Sequence, residues 1–180
     1  MPIGTTLDSG KLGNTRWDDL SVSATTTKRG LNDKPDFDFT NIGLLFPKND
    51  VTEKVYLTFQ MSHKKKLGTP VYLHIHFIQT STNKPTFGAT VRFYNNGGLV
   101  PAFGSEILTS STMPYTWSSG SMMNIAMFPV ILPPSSEELS SNLDVILYRK
   151  DNAVTGDVLV KYIDLHYEID SDGSEEEYAK

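Results

Sequence analysis

Three stretches of this chain alternate with a period of two, and that alternation limits what it can fold into. In KVYLTFQM (54–61), Val55, Leu57, Phe59 and Met61 are separated by Tyr56, Thr58 and Gln60. On an extended backbone the first set shares one face, whereas a helical period of 3.6 would scatter it. VYLHIHFI (71–78) repeats the pattern, with Val71, Leu73, Ile75 and Phe77 on one side and Tyr72, His74 and His76 on the other. In GATVRFYN (88–95) the inward set is Ala89, Val91 and Phe93. Further strands are predicted near 42–46, 104–109, 122–132, 143–149 and 157–169. Within the third of these regions, MMNIAMFPVIL is apolar on both faces, which suits a central strand or one buried under another subunit.

Turn-forming residues separate the strands, as in TSTNKPTFG, NNGG, DNAVTGD and SDGS. One short helix is predicted at PPSSEELSS, where Ser135 and Glu138 have the spacing of a capping box. Many short strands and almost no helix indicate an all-β protein, a β-sandwich of jelly-roll type. Residues 1–40 are polar and carry little periodic signal, so they read as an extended N-terminal arm with Trp17 as its one large anchor, to be buried by its own core or a neighbour. Residues 41–170 form the sandwich, and 171–180 a short C-terminal tail.

Several function classes are disfavoured by composition. A net charge of -5 argues against direct nucleic-acid binding and against anionic membranes. Lys64, Lys65 and Lys66 form a small basic run that reads as a solvated loop. There is no cysteine, so disulfides and thiolate chemistry are absent. No run of about 18 apolar residues is present to span a bilayer. The N-terminus lacks the apolar segment of a secretory signal, so use without export by the general secretory route is expected.

His74 and His76 are the foremost chemical candidates. Two imidazoles on one strand face can share a transition metal, but two ligands alone make a poor site. His63, Asp164, His166 and Glu168 are the candidates to complete it. A three-fold axis is a second route, since it would gather six imidazoles from an H-x-H pair. The competing reading places both histidines on a polar or subunit-facing sheet surface, bonded to neighbours. Asp164, His166 and Glu168 share a face of their own strand, as a metal or acid/base cluster or as charges paired across the sheet.

Evidence for an enzyme is weak. No G-x-S-x-G, P-loop, G-x-G-x-x-G or H-E-x-x-H occurs, and the serines of FGSEI and GSMMN lack the flanking glycine pair. Asp18 and Asp19 are adjacent, so on an extended segment they point apart and cannot form a glycosidase pair with each other. Their expected role is structural, fixing the arm to the body through hydrogen bonds. Asp36 and Asp38 can point together, but nothing marks a cleft around them. Tyr72, Tyr115 and Trp117 can stack on sugars, although aromatic side chains more often serve a core or an interface.

Three motifs together resemble a family of tailed-phage proteins. TRWDDL (15–20) matches its N-terminal segment, and LHIHF (73–77), preceded by SHKKKLGT (62–69), matches its mid-chain P-H-V-H-W strand and loop. The ending DLHYEIDSDGSEEEYAK matches at Asp164, His166, Tyr167, Asp170, Gly173, Ser174, Glu176, Glu177, Tyr178 and Lys180. The chain departs from the family at Ser21, where Arg is usual, at Leu73 in place of Pro, and at Phe77 in place of Trp. The resemblance implies a non-enzymatic virion component, made in the host bacterial cytoplasm and placed at the head surface, collar or neck, or tail. It implies other virion proteins as partners, and by analogy a homotrimer. Trp17, Asp18, Asp19, His166, Tyr167 and Tyr178 are then the expected interface residues, and His74 with His76 a candidate axial metal site. Two alternatives remain open. One is a receptor- or glycan-binding module of a phage fibre, using loops 95–104 and 110–121 with Trp117. The other is a metal-dependent cupin-like enzyme drawing on His74, His76 and His166.

Overall fold

The computed structural model describes residues 16–48, 50–81, 83, 85–109, 120–150 and 156–170. Residues 1–15, positions 110–119 with Tyr115 and Trp117, and positions 171–180 with Tyr178 lie outside them. Eleven strands follow one another: β1 (Arg16–Ser23), β2 (Lys28–Arg29), β3 (Asp36–Asp38), β4 (Gly43–Phe46), β5 (Lys54–Gln60), β6 (Val71–Gln79), β7 (Phe87–Tyr94), β8 (Ile107–Leu108), β9 (Gly120–Met127), β10 (Asn142–Arg149) and β11 (Val158–Ile169). A six-stranded sheet has the order β3-β4-β11-β6-β9, with β1 also pairing β11, and a five-stranded sheet has the order β2-β5-β10-β7-β8. All these pairings are antiparallel. The protein is an all-β, jelly-roll-like sandwich.

The alternation seen in the sequence explains the core. Val55, Leu57 and Phe59 of β5 are buried while Lys54, Tyr56, Thr58 and Gln60 are exposed. They meet Leu73, Ile75 and Phe77 of β6 and Ile163 and Leu165 of β11 in one hydrophobic cluster between the sheets. Burial of each such side chain contributes about 1.5–3 kcal/mol. Val91 is only partly buried, packed against the margin of this cluster.

Four expectations need correction. First, the arm is not separate from residue 16 onward, because β1 runs antiparallel to β11 from Arg16↔Ile169 to Ser23↔Tyr162. Leu20 and Val22 of β1 pack on the core, which holds the strand in the sheet. Second, Trp17 is not buried by its own core. It lies 49% exposed on the outer face, edge-on to Tyr72 at 5.5 Å. Third, no helix forms at PPSSEELSS. Two tight turns replace it, closed by Glu137 N donating to Pro134 O and Ser141 N donating to Glu138 O. Glu138 N donates to Asn95 Oδ1, and Ser140 has a left-handed φ of 57°, so the capping box has no helix to cap.

The fourth correction concerns the basic run. Lys65 is wholly buried, and its ammonium lies 2.8 Å from the equally buried Glu137 carboxylate. Lys65 Nζ also donates to the carbonyls of Lys66 and Thr69, and Glu137 accepts from Gly68 N. This pair ties the loop before β6 to the turns before β10. Lys66, by contrast, pairs at the surface with Glu168.

MMNIAMFPVIL supplies β9, which lies at one end of the six-stranded path rather than in its middle. Met123, Val130 and Leu132 of this stretch are exposed.

Candidate functional site

Two polar constellations stand out, one on the outer face of each sheet. The first follows from strand register. Antiparallel pairing sets Asp164 opposite His74 and Tyr162 opposite His76 on one side of β11, and Ser21 opposite Asp164 and Asp19 opposite His166 on the other. Paired residues project to the same face, so β1, β11 and β6 present Asp19, Ser21, Asp164, His166, His74 and His76 together.

Asp164 sits at the centre. Its Oδ2 lies 2.8 Å from His76 Nε2 and 3.6 Å from His74 Nε2, while Ser21 Oγ donates to Oδ1 at 2.6 Å. Burial acts to raise its pKa, but the close polar contacts with His74, His76 and Ser21 outweigh burial and hold the carboxyl well below the usual range. His74 is 4% exposed, with its ring 5.1 Å from that of His76 and 4.1 Å from that of His166. His166 Nε2 in turn lies 2.9 Å from Asp19 Oδ1. Burial, and then the neighbouring His74, lowers the His166 pKa.

The structure therefore joins His74, His76 and Asp164, with His166 beside them. His63 is elsewhere, 2.5 Å from Ser140 Oγ, and Glu168 is taken by Lys66. Asp18 and Asp19 point apart, as adjacent residues on a strand must. Asp18 accepts from the Tyr167 hydroxyl and Asp19 meets His166, so the two aspartates fix β1 to β11 from opposite faces. Tyr167, expected at an interface, is a core residue at 1% exposure, because its inward position on β11 puts the ring between the sheets.

The second constellation is an open groove of about 460 Å³ on the five-stranded sheet. Tyr56 and Thr58 of β5, Arg92 of β7 and Asp144 of β10 line it, with Phe103 as one wall and Thr26 and Lys28 at the other end. Register places Asp144 directly opposite both Thr58 and Arg92. Its carboxylate accepts from Thr58 Oγ1 at 2.6 Å, Arg92 Nε at 2.7 Å and the Tyr94 hydroxyl at 3.2 Å. Burial pushes against ionisation, but the hydrogen bonds from Thr58 and Arg92 and the guanidinium charge hold its pKa below the usual range. The Arg92 guanidinium also stacks over Phe103 at 4.4 Å, within loop 95–104. Gly104 N donates to Val91 O and pins that loop to the sheet.

Phe103 lies on a loop that sequence reasoning selected, and Tyr56 and Thr58 on a face that it read as outward. Arg92 and Asp144 were missed. Their signal was a charge set between inward apolar residues, Val91 and Phe93 for one and Leu143 and Val145 for the other.

No family model and no curated protein matches the chain. Among solved structures, the CBM36-1 domain of a multidomain xylanase from the hindgut metagenome of Trinervitermes trinervoides aligns with a TM-score of 0.48 at 10% identity, over 87% of this chain and 100% of that one. A carbohydrate-binding module CBM36 in complex with calcium and xylotriose aligns at 0.46 and 11% identity, over 81% and 98%. The enzymatically active domain of bacteriophage CBA120 tailspike protein 4 aligns at 0.36 and 17% identity, over 85% of this chain but 19% of that one.

Proposed function

We propose that this chain is a non-catalytic binding module whose five-stranded sheet takes a carbohydrate in the groove around Arg92. The observation that supports this most is the fixed guanidinium. Arg92 is held by a nearly buried carboxylate and stacked on Phe103, beside the exposed ring of Tyr56. A pyranose has an apolar face and a rim of hydroxyls, so it calls for an aromatic surface next to rigid donors and acceptors. Tyr56 offers the ring, Arg92 the charged donors, and Thr26 and Thr58 the hydroxyl rim. Asp144 is ionised and already accepts three hydrogen bonds, which suits it to orienting Arg92 rather than to proton transfer.

The setting follows the sequence resemblance: a tailed-phage virion component, in which such a groove would contact a receptor glycan. A glycan array followed by calorimetry on each hit tests the reading. Arg92→Ala and Tyr56→Ala should each weaken binding at least about tenfold, or about 1.4 kcal/mol. Binding that survives both changes, or an array without hits, would remove it.

A second reading, assembly into a homotrimer with other virion proteins, is favoured by the apolar end of the six-stranded sheet. Met123 on β9 and Val130 and Leu132 just after it are exposed side chains of one segment, the kind of patch that subunit contacts cover. Mass measurement by light scattering tests it. A monomer at assay concentrations would count against it.

A further inference from the structure

The histidine–aspartate cluster on the opposite sheet is independent of the groove. We propose that His74, His76 and Asp164 form a binding site for a divalent transition-metal ion within a single chain.

Three observations support it. The first is spacing. One donor atom from each of the three side chains lies within 4.8 Å of the others. A zinc-sized ion takes imidazole nitrogen and carboxylate oxygen at about 2.0–2.2 Å, so neighbouring donors in its shell sit about 2.9–3.4 Å apart. The separations of 2.8 Å and 3.6 Å from Asp164 Oδ2 to the two Nε2 atoms bracket that range.

The second is an unsatisfied contact. His76 Nε2 is buried and 2.8 Å from Asp164 Oδ2, yet it has no hydrogen-bond partner, because a ring proton there does not point at the oxygen. His74 Nδ1 is likewise buried without a partner. A cation between the rings and the carboxylate gives His76 Nε2 and Asp164 Oδ2 a shared partner, which removes the cost of leaving that ring nitrogen unpaired.

The third is the support behind the ligands. Ser21 Oγ occupies Asp164 Oδ1, which leaves Oδ2 turned toward the rings. His166 packs edge-on against His74 and is anchored by Asp19. Such outer contacts orient metal ligands and are worth about 10–100-fold in affinity. Two imidazoles and one carboxylate are a donor set for zinc or ferrous iron rather than for calcium or magnesium. The His76 and Asp164 side chains retain 22% and 13% exposure, so further positions of the shell face solvent. The ion would tie β6 to β11, drawing its third ligand from the same chain rather than from a three-fold axis.

The test uses the full chain, stripped with chelator and titrated with Zn²⁺ by calorimetry and with Co²⁺ by visible absorption. The expected result is one ion per chain, with d–d bands of a low-symmetry nitrogen and oxygen site. His76→Gln and Asp164→Asn should each weaken binding at least about tenfold, while His63→Gln, outside the cluster, leaves it unchanged. Circular dichroism confirms that each variant is folded. His76 is half-buried on the sheet surface, so His76→Gln keeps the test alive if Asp164→Asn does not fold. Failure of folded wild type to bind either ion stoichiometrically would overturn the proposal. So would equal binding by wild type and a folded His76→Gln.

Discussion

Removing one member of the Lys65–Glu137 pair should cost more stability than any surface change to this protein. Both side chains are 1% exposed and their charged atoms are 2.8 Å apart. Lys65→Met leaves the Glu137 carboxylate out of water with only Gly68 N and Ser141 Oγ as donors. Glu137→Leu leaves an ammonium facing the carbonyls of Lys66 and Thr69. A buried charge that has lost its ion partner costs about 3–5 kcal/mol, a large share of the roughly 5–15 kcal/mol that holds a domain of this size together. Replacing both partners is a different perturbation, because no charge is left stranded. The double variant Lys65→Met/Glu137→Leu should lie within about 2 kcal/mol of wild type, giving a coupling of several kcal/mol in the cycle. Urea unfolding followed by circular dichroism, with all four proteins at one pH, measures it. Single variants that each lose less than about 1 kcal/mol, with additive effects, would refute the reasoning, since exposed pairs behave that way.

Other perturbations have equally definite outcomes. Glu53 is buried with Oε2 unpartnered, and burial, followed by the charges of Asp50, Asp36 and Asp33, raises its pKa from 4.5 to about 7. The folded state therefore holds a proton that the unfolded state has released between those pH values, so this group's contribution to stability falls as pH rises from 4.5 to about 7. Glu53→Gln should stabilise the protein by roughly 1 kcal/mol at pH 8, after allowance for solvent screening, and by nothing near pH 4, as read from melting curves at both values. Ile42 closes the β3–β4 turn with φ 51° while its side chain is 66% exposed. Ile42→Asn should gain about 1 kcal/mol by relieving the left-handed backbone, and a lower melting temperature would contradict this. Leu57→Asp buries an unpaired charge on the inner face of β5 and should abolish soluble protein, whereas Gln60→Asp on the outer face should still yield it, as expression trials would show.

The strands were legible where one face is buried and the other wet. In β5 and β6 the period-two pattern states both the element and its inward side, and the adjacent Asp18 and Asp19 had to diverge for the same reason. β1 was not legible as a strand of the sheet, because only Leu20 and Val22 mark its inner face and its partner β11 lies at the far end of the chain. The buried Lys65 sits inside a run of lysines that reads as solvent-facing, and the carboxylate that permits its burial is 72 residues away. For the candidate sites, sequence supplied the residue types but not their convergence. Asp164 was among several possible companions of His74 and His76, and register alone selected it. Arg92 and Asp144 were invisible as a pair because 52 residues separate them. Non-local pairing of this kind is set by which strands neighbour one another, and no local pattern encodes that.

The most direct test of the binding reading is to map where a glycan touches the chain. An amide NMR titration of labelled protein with an array-selected oligosaccharide reports this residue by residue. The account predicts shift changes on β5, β7 and β10 around Thr58, Arg92 and Asp144 and in the loop carrying Phe103, with the outer face of β6 and β11 unmoved. Changes centred instead on the other sheet or on residues 110–119, with the Arg92 groove silent, would contradict it.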